Sequence, residues 1–266
     1  MRVKVGGLSI AYERAGAGPP VLLLHGFVGD ARATWGAQLD ALSDEFTVIA
    51  WDAPGAGASD DPPEELGMDG YADCLAAVLA ALRIEQAHLV GLSFGAALAL
   101  AVARRHRRVV RSLALVSGYA GWVGSLGPAE ADLRLARSLR ASTLPPDVFV
   151  TAMAPSLFSP SAEGERVVAF VDSVRATRPR GFRAMAHASH PDQSHVLPDI
   201  DVPTLLLYAD HDVRAPVAVG EALHHALPGS ELVVLTGPGH ASPVEAPEAV
   251  THELRRFLHA AEQRPG

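Results

Sequence analysis

The stretch AHLVGLSFGAALALAVARR, residues 87–105, decides the fold. Ala87 to Leu92 is a short apolar run, as expected of a strand buried on both faces, and Ala96 to Arg105 carries helical spacing. Between them stands Gly91-Leu92-Ser93-Phe94-Gly95. Taken alone, G-x-S-x-G is a weak signal that arises by chance in about one such chain in ten. Its place on a strand-to-helix turn makes it specific. A serine on such a turn is lifted out of the sheet edge, and flanking glycines are needed because side chains there would clash. The start of the following helix aims backbone N–H groups at any negative charge formed beside the serine. The plainer alternative is a glycine-rich turn with an incidental serine.

The same rhythm extends in both directions. Upstream, Val3–Val5 and Leu8–Arg14 read as a hairpin around Gly6-Gly7. Val21–Leu24 and Phe46–Trp51 are buried strands separated by a helix through Trp35, Leu39 and Leu42, and Met68–Arg83 is helical. Downstream, Val109–Val116 returns to strand, Val202–Tyr208 and Glu231–Leu235 are strands, and Val217–Ala226 and Pro247–Ala260 are helices. Strands alternating with helices predict an α/β fold with a mostly parallel central sheet of about eight strands covered on both faces. The rhythm breaks between Gly118 and Asp199, where helical segments near Pro128–Arg140, Asp147–Met153, Ala162–Arg175 and Gly181–Ala188 have no convincing strand between them. The expected organisation is a core of residues 1–118 and 199–266, with a helical cap inserted over residues 119–198. No internal repeat or low-complexity segment interrupts it.

Composition narrows the function. The 266 residues are 48% hydrophobic and 20% charged, a globular balance, and the net charge is −8. An acidic chain argues against nucleic acid as partner, because phosphate binding needs clustered positive charge. One cysteine, Cys74, excludes an internal disulfide, and its helical position suits packing. The N-terminal region carries Arg2, Lys4, Glu13 and Arg14 where a signal peptide needs an apolar run, and no stretch is long enough to span a bilayer. A cytoplasmic protein without a membrane partner is the expectation.

A serine hydroxyl is a poor nucleophile without a base, and the base needs an orienting acid. His240, in Gly237-Pro238-Gly239-His240-Ala241, lies on a loop able to swing an imidazole over the sheet edge. Two aspartates, Asp210 and Asp212, follow the strand ending at Tyr208; spacing favours Asp212, with Asp210 two positions away as the alternative. Ser93, Asp212, His240 is one of the chain orders that triad chemistry permits.

Together with further motifs, these residues make the chain resemble the α/β-hydrolase fold superfamily, in its branch of small cap-bearing esterases and lactonases. His25-Gly26-Phe27 is similar to the family's strand-end HG motif, and Asp52 to Ser59 to its D-x-x-G-x-G-x-S loop. Ala209-Asp210-His211-Asp212 resembles the acid turn with Ala209 in place of glycine, and His240 to Glu248 resembles the closing H-x-x-x-x-E-x-P-E stretch. The likeness covers nearly the whole chain outside the insertion. It implies catalysis by Ser93, Asp212 and His240, with an oxyanion hole made by the backbone N–H groups of Phe27 and Phe94. With two phenylalanines there, an apolar, crowded pocket floor is expected. It further implies a serine hydrolase acting on a small carboxylic ester or lactone, with no cofactor and no metal. Alternatives on the same triad are a carbon–carbon bond hydrolase or a thioesterase, and a ligand-binding sensor with little turnover is the alternative of another class. Leu92 and Phe27-Val28 depart from the carbon–carbon hydrolase pattern.

The remaining residues have blander readings beside the functional ones. His25 is expected to brace its loop. His187, His190 and His195 fall close together but lack the carboxylate or cysteine spacing of a metal site. Arg104, Arg105, Arg107, Arg108 and Arg111 form a basic run expected to be a solvated face at a helix end. In the cap, Tyr119, Trp122, Phe149 and Met153 are the candidates for lining the substrate pocket.

Overall fold

A computed structural model describes residues 1–264. Eight strands form one sheet: β1 (Arg2–Val5), β2 (Leu8–Ala15), β3 (Pro20–Leu24), β4 (Thr47–Trp51), β5 (Ala87–Leu92), β6 (Val110–Val116), β7 (Thr204–Ala209) and β8 (Glu231–Leu235). Their order is β1-β2-β4-β3-β5-β6-β7-β8. Pairing is antiparallel at β1–β2 and β2–β4 and parallel from β4 to β8. The two-residue Gly6-Gly7 turn lets β1 and β2 pair directly, whereas each parallel pair needs a crossover.

The crossover helices are α1 (Ala31–Leu42), α2 (Gly67–Ala81) and α3 (Phe94–Arg105). An insertion of five helices separates β6 from β7: α4 (Trp122–Leu126), α5 (Pro128–Ala141), α6 (Pro146–Met153), α7 (Glu165–Arg175) and α8 (Pro179–Ser189). Then come α9 (Val217–Ala226), α10 (Ser242–Glu245) and α11 (Pro247–Glu262).

The continuous apolar runs are explained by two cores on opposite sheet faces. Val21 and Leu23 join Val48, Ala50 and Val90 under α1 and α11, through Trp35, Leu39, Leu254 and Leu258. Leu22 and Leu24 join Ile49, Trp51 and Leu89 on the other face, under α2, α3, α9 and the insertion. Successive side chains of a strand point to opposite faces, so a strand covered on both sides must be apolar at every position. No helix among the described residues is long and apolar enough to cross a membrane.

Several local expectations change. The helix after the serine begins at Phe94, two residues early, so the serine directly precedes it. The short helices α4 and α10 are too brief to show a helical period in the sequence. The basic run is an exposed face at the end of α3, as expected, and most of its arginines are paired there: Arg104 and Arg105 reach Asp69 and Asp73, Arg107 pairs with Asp201, and Arg111 with Glu262. Those partners come from α2, the stretch before β7 and the end of α11, so tertiary proximity neutralises what the sequence leaves bare.

Candidate active site

Parallel strands deliver their C-terminal ends to one edge, and the loops leaving β3, β5, β6, β7 and β8 meet there. The turn after β5 is forced. Ser93 has φ +53° and ψ −107°, a conformation unusual for any residue with a side chain. Such strain costs about 1–3 kcal/mol and persists only where neighbours hold it. Here the Ser93 N–H donates to the Val116 carbonyl at 2.9 Å, while the Ser93 carbonyl accepts from Ala96 and Ala97. The glycines are a steric necessity. A Cβ on Gly91 would lie 2.3 Å from the Gly95 backbone, and one on Gly95 would lie 2.2 Å from the Leu24 carbonyl oxygen. The Ser93 hydroxyl makes no capping bond to α3 and remains available.

Asp212 and His240 meet on the neighbouring loops. Asp212 Oδ2 accepts from His240 Nδ1 at 2.8 Å, and both side chains are buried. Asp212 Oδ1 accepts from the backbone N–H groups of Arg214 and Ala215, each at 2.8 Å. Burial pushes the Asp212 carboxyl upward, but the adjacent His240, the Ala215 amide and the nearby Ser117 hydroxyl outweigh it and hold it below its ordinary value. An ionised Asp212 makes Nδ1 the donor and leaves Nε2 with its lone pair free. Asp210 is exposed and turns instead to the Gly237 N–H, at 2.7 Å, tying the two loops together.

Ser93 and His240 line one cavity of about 10 Å³ with Gly26, Phe27, Val28, Leu92, Leu157, Phe170 and Ala241. That volume holds roughly one water molecule. Among the described residues no hydrogen bond joins Ser93 to His240; such contacts commonly tighten only when substrate is seated.

The Phe27 amide is aimed by His25. Ala53 N–H donates to His25 Nε2 at 2.9 Å, so the proton sits on Nδ1, which donates to the Gly26 carbonyl at 2.6 Å. That carbonyl and the Phe27 N–H belong to one trans peptide and point in opposite directions. Fixing the carbonyl therefore turns the N–H away from His25. The Phe94 amide opens α3, where no carbonyl four residues back can occupy it.

Of the side chains expected around the pocket, Phe27 lines the cavity, whereas Phe94 packs edge-on against Tyr71 at 5.1 Å. The four cap candidates stand farther out. Trp122 meets the Phe27 ring edge-on at 5.9 Å, and Phe149 packs on Phe182, itself stacked on Phe27 at 4.9 Å. Tyr119 is buried, and its hydroxyl accepts from Arg134. Met153 borders a separate groove. The cap walls at the serine are Leu157 and Phe170 instead, because the turn after α6 and the helix α7 come nearest the sheet edge. In the sequence Phe170 is one of several large apolar residues of the insertion with nothing to distinguish it, and Leu157 carries no signal.

Glu245 also acquires a place. Its carboxylate accepts from the Gly239 N–H at 2.9 Å and from the Ser159 N–H at 3.0 Å, joining the histidine loop to the cap. Of the three clustered histidines, His190 pairs with Asp132. No group of three or more His, Cys, Asp or Glu side chains among the described residues is arranged to hold a metal.

Comparison with known proteins agrees with this architecture. A family model described as the alpha/beta hydrolase fold matches residues 19–247. The structure is similar to that of a thermophilic esterase from Thermogutta terrifontis, solved with malate bound, at TM-score 0.89 and 32% identity, covering 98% of this chain and 99% of that one. It is similar to the enol-lactonase from Burkholderia xenovorans LB400, at TM-score 0.89 and 26% identity over 97% and 100% of the two chains. In sequence it is 28% identical over 266 residues to a pyrrolizixenacetamide deacetylase of Xenorhabdus hominickii, covering 97% of each.

Proposed function

This chain belongs to the alpha/beta hydrolase fold family, and on that footing we propose that it is a serine hydrolase cleaving a small carboxylic ester or lactone through an acyl-enzyme. The observation that carries the reading is the buried Asp212–His240 hydrogen bond beside the cavity that Ser93 shares. The esterase and lactonase among its relatives support the substrate class.

In this reading Ser93 Oγ attacks the carbonyl carbon while His240 Nε2 takes its proton. The developing oxyanion is held by the Phe27 and Phe94 amides, each donor being typically worth about 3 kcal/mol. Collapse expels the alcohol, which receives the proton from His240. Water, activated by the same imidazole, then releases the acid and restores Ser93. Asp212 keeps the imidazole in the tautomer that both steps need and stabilises it while charged.

The test is a panel of p-nitrophenyl esters and simple lactones of graded acyl length, with a phosphonate inhibitor as control. Turnover should be abolished by the inhibitor, with the adduct on Ser93 by mass spectrometry. Ser93→Ala should lower kcat by about 10⁴ to 10⁶ with the fold intact. An adduct on another serine would sink the assignment, and phosphonate-insensitive binding without turnover would favour a sensor.

A further inference from the structure

A second group of polar side chains lies one ring away from Ser93. The Phe27 ring lines the serine cavity, and the Arg214 guanidinium lies 5.3 Å from the same ring's centroid. Beside it, Arg134 of α5 sits over the rings of Tyr119 and Trp122 at 5.2 and 5.7 Å. Arg134 also donates to the Tyr119 hydroxyl at 2.8 Å and to the Arg214 carbonyl at 3.1 Å, and Arg214 donates to Ser156 Oγ at 2.8 Å. Both arginines border a groove of about 410 Å³ between α5, the turn after α6 and the acid loop.

Neither arginine has a carboxylate within ion-pair distance among the described residues, although the chain carries a net charge of −8. Most other half-buried arginines are paired, as Arg178 and Arg183 are with Asp61 and Glu64. The one carboxylate on the groove, Glu130, stands apart from both. Arg214 is pushed below its ordinary value by burial and by the like charge of Arg134, against the attraction of Asp212. Guanidinium groups remain charged regardless. Aromatic faces and neutral acceptors offset part of the cost of holding two such cations together, and a bound anion would offset the rest.

We infer that Arg134 and Arg214 form a subsite for a substrate carboxylate, so that this enzyme's preferred ester or lactone carries an anionic tail. The inference rests on the hydrolase reading above for the word substrate, but the anion site itself can be measured without turnover. The planar guanidinium fork suits a carboxylate, and Phe27, which borders the serine cavity and carries Arg214 over its ring, sets the span between the tail and the scissile carbonyl.

The test is calorimetric titration of the full chain with glutarate and with its neutral counterpart glutaramide. Wild type should bind glutarate at least about tenfold more tightly, and Arg134→Gln and Arg214→Gln should each weaken it by about ten- to a hundredfold, as expected for a lost charge-assisted hydrogen bond. Equal binding of the two ligands by wild type overturns the subsite, and that comparison needs no variant to fold. Glutarate binding that survives both substitutions overturns it equally. In parallel, the mono-p-nitrophenyl ester of glutaric acid should be preferred over p-nitrophenyl valerate through KM, and the preference should collapse in Arg214→Gln. Glutarate bound as stated with no ester hydrolysed would leave the anion site standing and refute the hydrolase reading. Ester turnover without charge preference or glutarate binding would do the reverse.

Discussion

Replacing Asp212 by Asn has a consequence that the local hydrogen bonds dictate. Oδ1 accepts from two backbone N–H groups, of Arg214 and Ala215, and an amide NH₂ cannot accept. The asparagine must therefore keep its oxygen at the Oδ1 position and turn its NH₂ toward His240. At 2.8 Å from Nδ1, that NH₂ is a donor facing what was a donor. The imidazole relieves the conflict by moving its proton to Nε2, the nitrogen that would have to accept from Ser93. The wrong tautomer costs on the order of 10⁴ in kcat, or about 5.4 kcal/mol of barrier. The loop should stay folded, since both backbone bonds survive. The control is Asp210→Asn: Asp210 is exposed, its oxygen can still accept from Gly237, and kcat/KM should stay within about threefold. The assay is steady-state hydrolysis of a short p-nitrophenyl ester, with the thermal midpoint measured beside it. Asp212→Asn retaining activity within tenfold of wild type, or Asp210→Asn losing as much, would refute the reasoning.

The Asp212 carboxyl, held below the ordinary value of 3.8, stabilises the fold while ionised, and that contribution fades as pH falls through its folded value. Denaturant titrations should show the stability gap between wild type and Asp212→Asn narrowing below pH 3.8. Gly95→Ala drives a Cβ to 2.2 Å from the Leu24 oxygen, so about 1–3 kcal/mol of strain should lower the thermal midpoint by about 2–12 °C; an unchanged midpoint would contradict the close approach. Burial pushes the Cys74 thiol up from 9.0 to about 11, so at pH 8 its thiolate fraction is about a hundredfold below that of an unshifted thiol. Iodoacetamide should accordingly alkylate Cys74 far more slowly than free cysteine.

What could be read from the sequence is what local chemistry determines. Leu22 to Leu24 and Leu89 to Val90 are apolar at every position because each is covered on both faces, and that pattern survives without knowledge of the fold. Gly91 and Gly95 mark the serine because no other residue fits beside it, and the structure gives the two contacts responsible. Asp212 could be favoured by spacing over Asp210, but the side-chain directions that separate them depend on Gly237, Arg214 and Ala215. The pocket walls were illegible for a different reason. Trp122 and Phe149 are the large rings that a pocket would invite, yet they pack on Phe27 and Phe182, and smaller Leu157 stands at the serine. Side-chain size says that a residue packs, not against what. The arginine run is exposed, as its charge implies, but its partners are not legible, since Asp69 and Glu262 lie far from it along the chain.

The cap and the loop that carries His240 are one mechanical unit on one side of the site. Ala241 N–H donates to the Leu157 carbonyl at 2.8 Å, immediately after His240, and Glu245 bridges Gly239 to Ser159. The residues flanking the imidazole are thus held by the same turn that supplies the Leu157 wall. Phe170, the other cap wall, reaches the cavity from α7, which rests on α1 and α10, and its ring packs edge-on against Phe158. With the cavity as small as one water, any ester must displace part of this wall to reach Ser93. Moving Leu157 breaks or drags its bond to Ala241, and so disturbs the histidine. The cap is tied a second time, through Arg134 and Arg214, to the loop that carries Asp212, by contacts to a carbonyl and to the Ser156 hydroxyl. Arg214 also holds Ser156, beside Leu157, and its amide donates to the Asp212 oxygen opposite the one that meets His240, so both cap ties converge on the imidazole and a substrate that shifts either one shifts the imidazole with it.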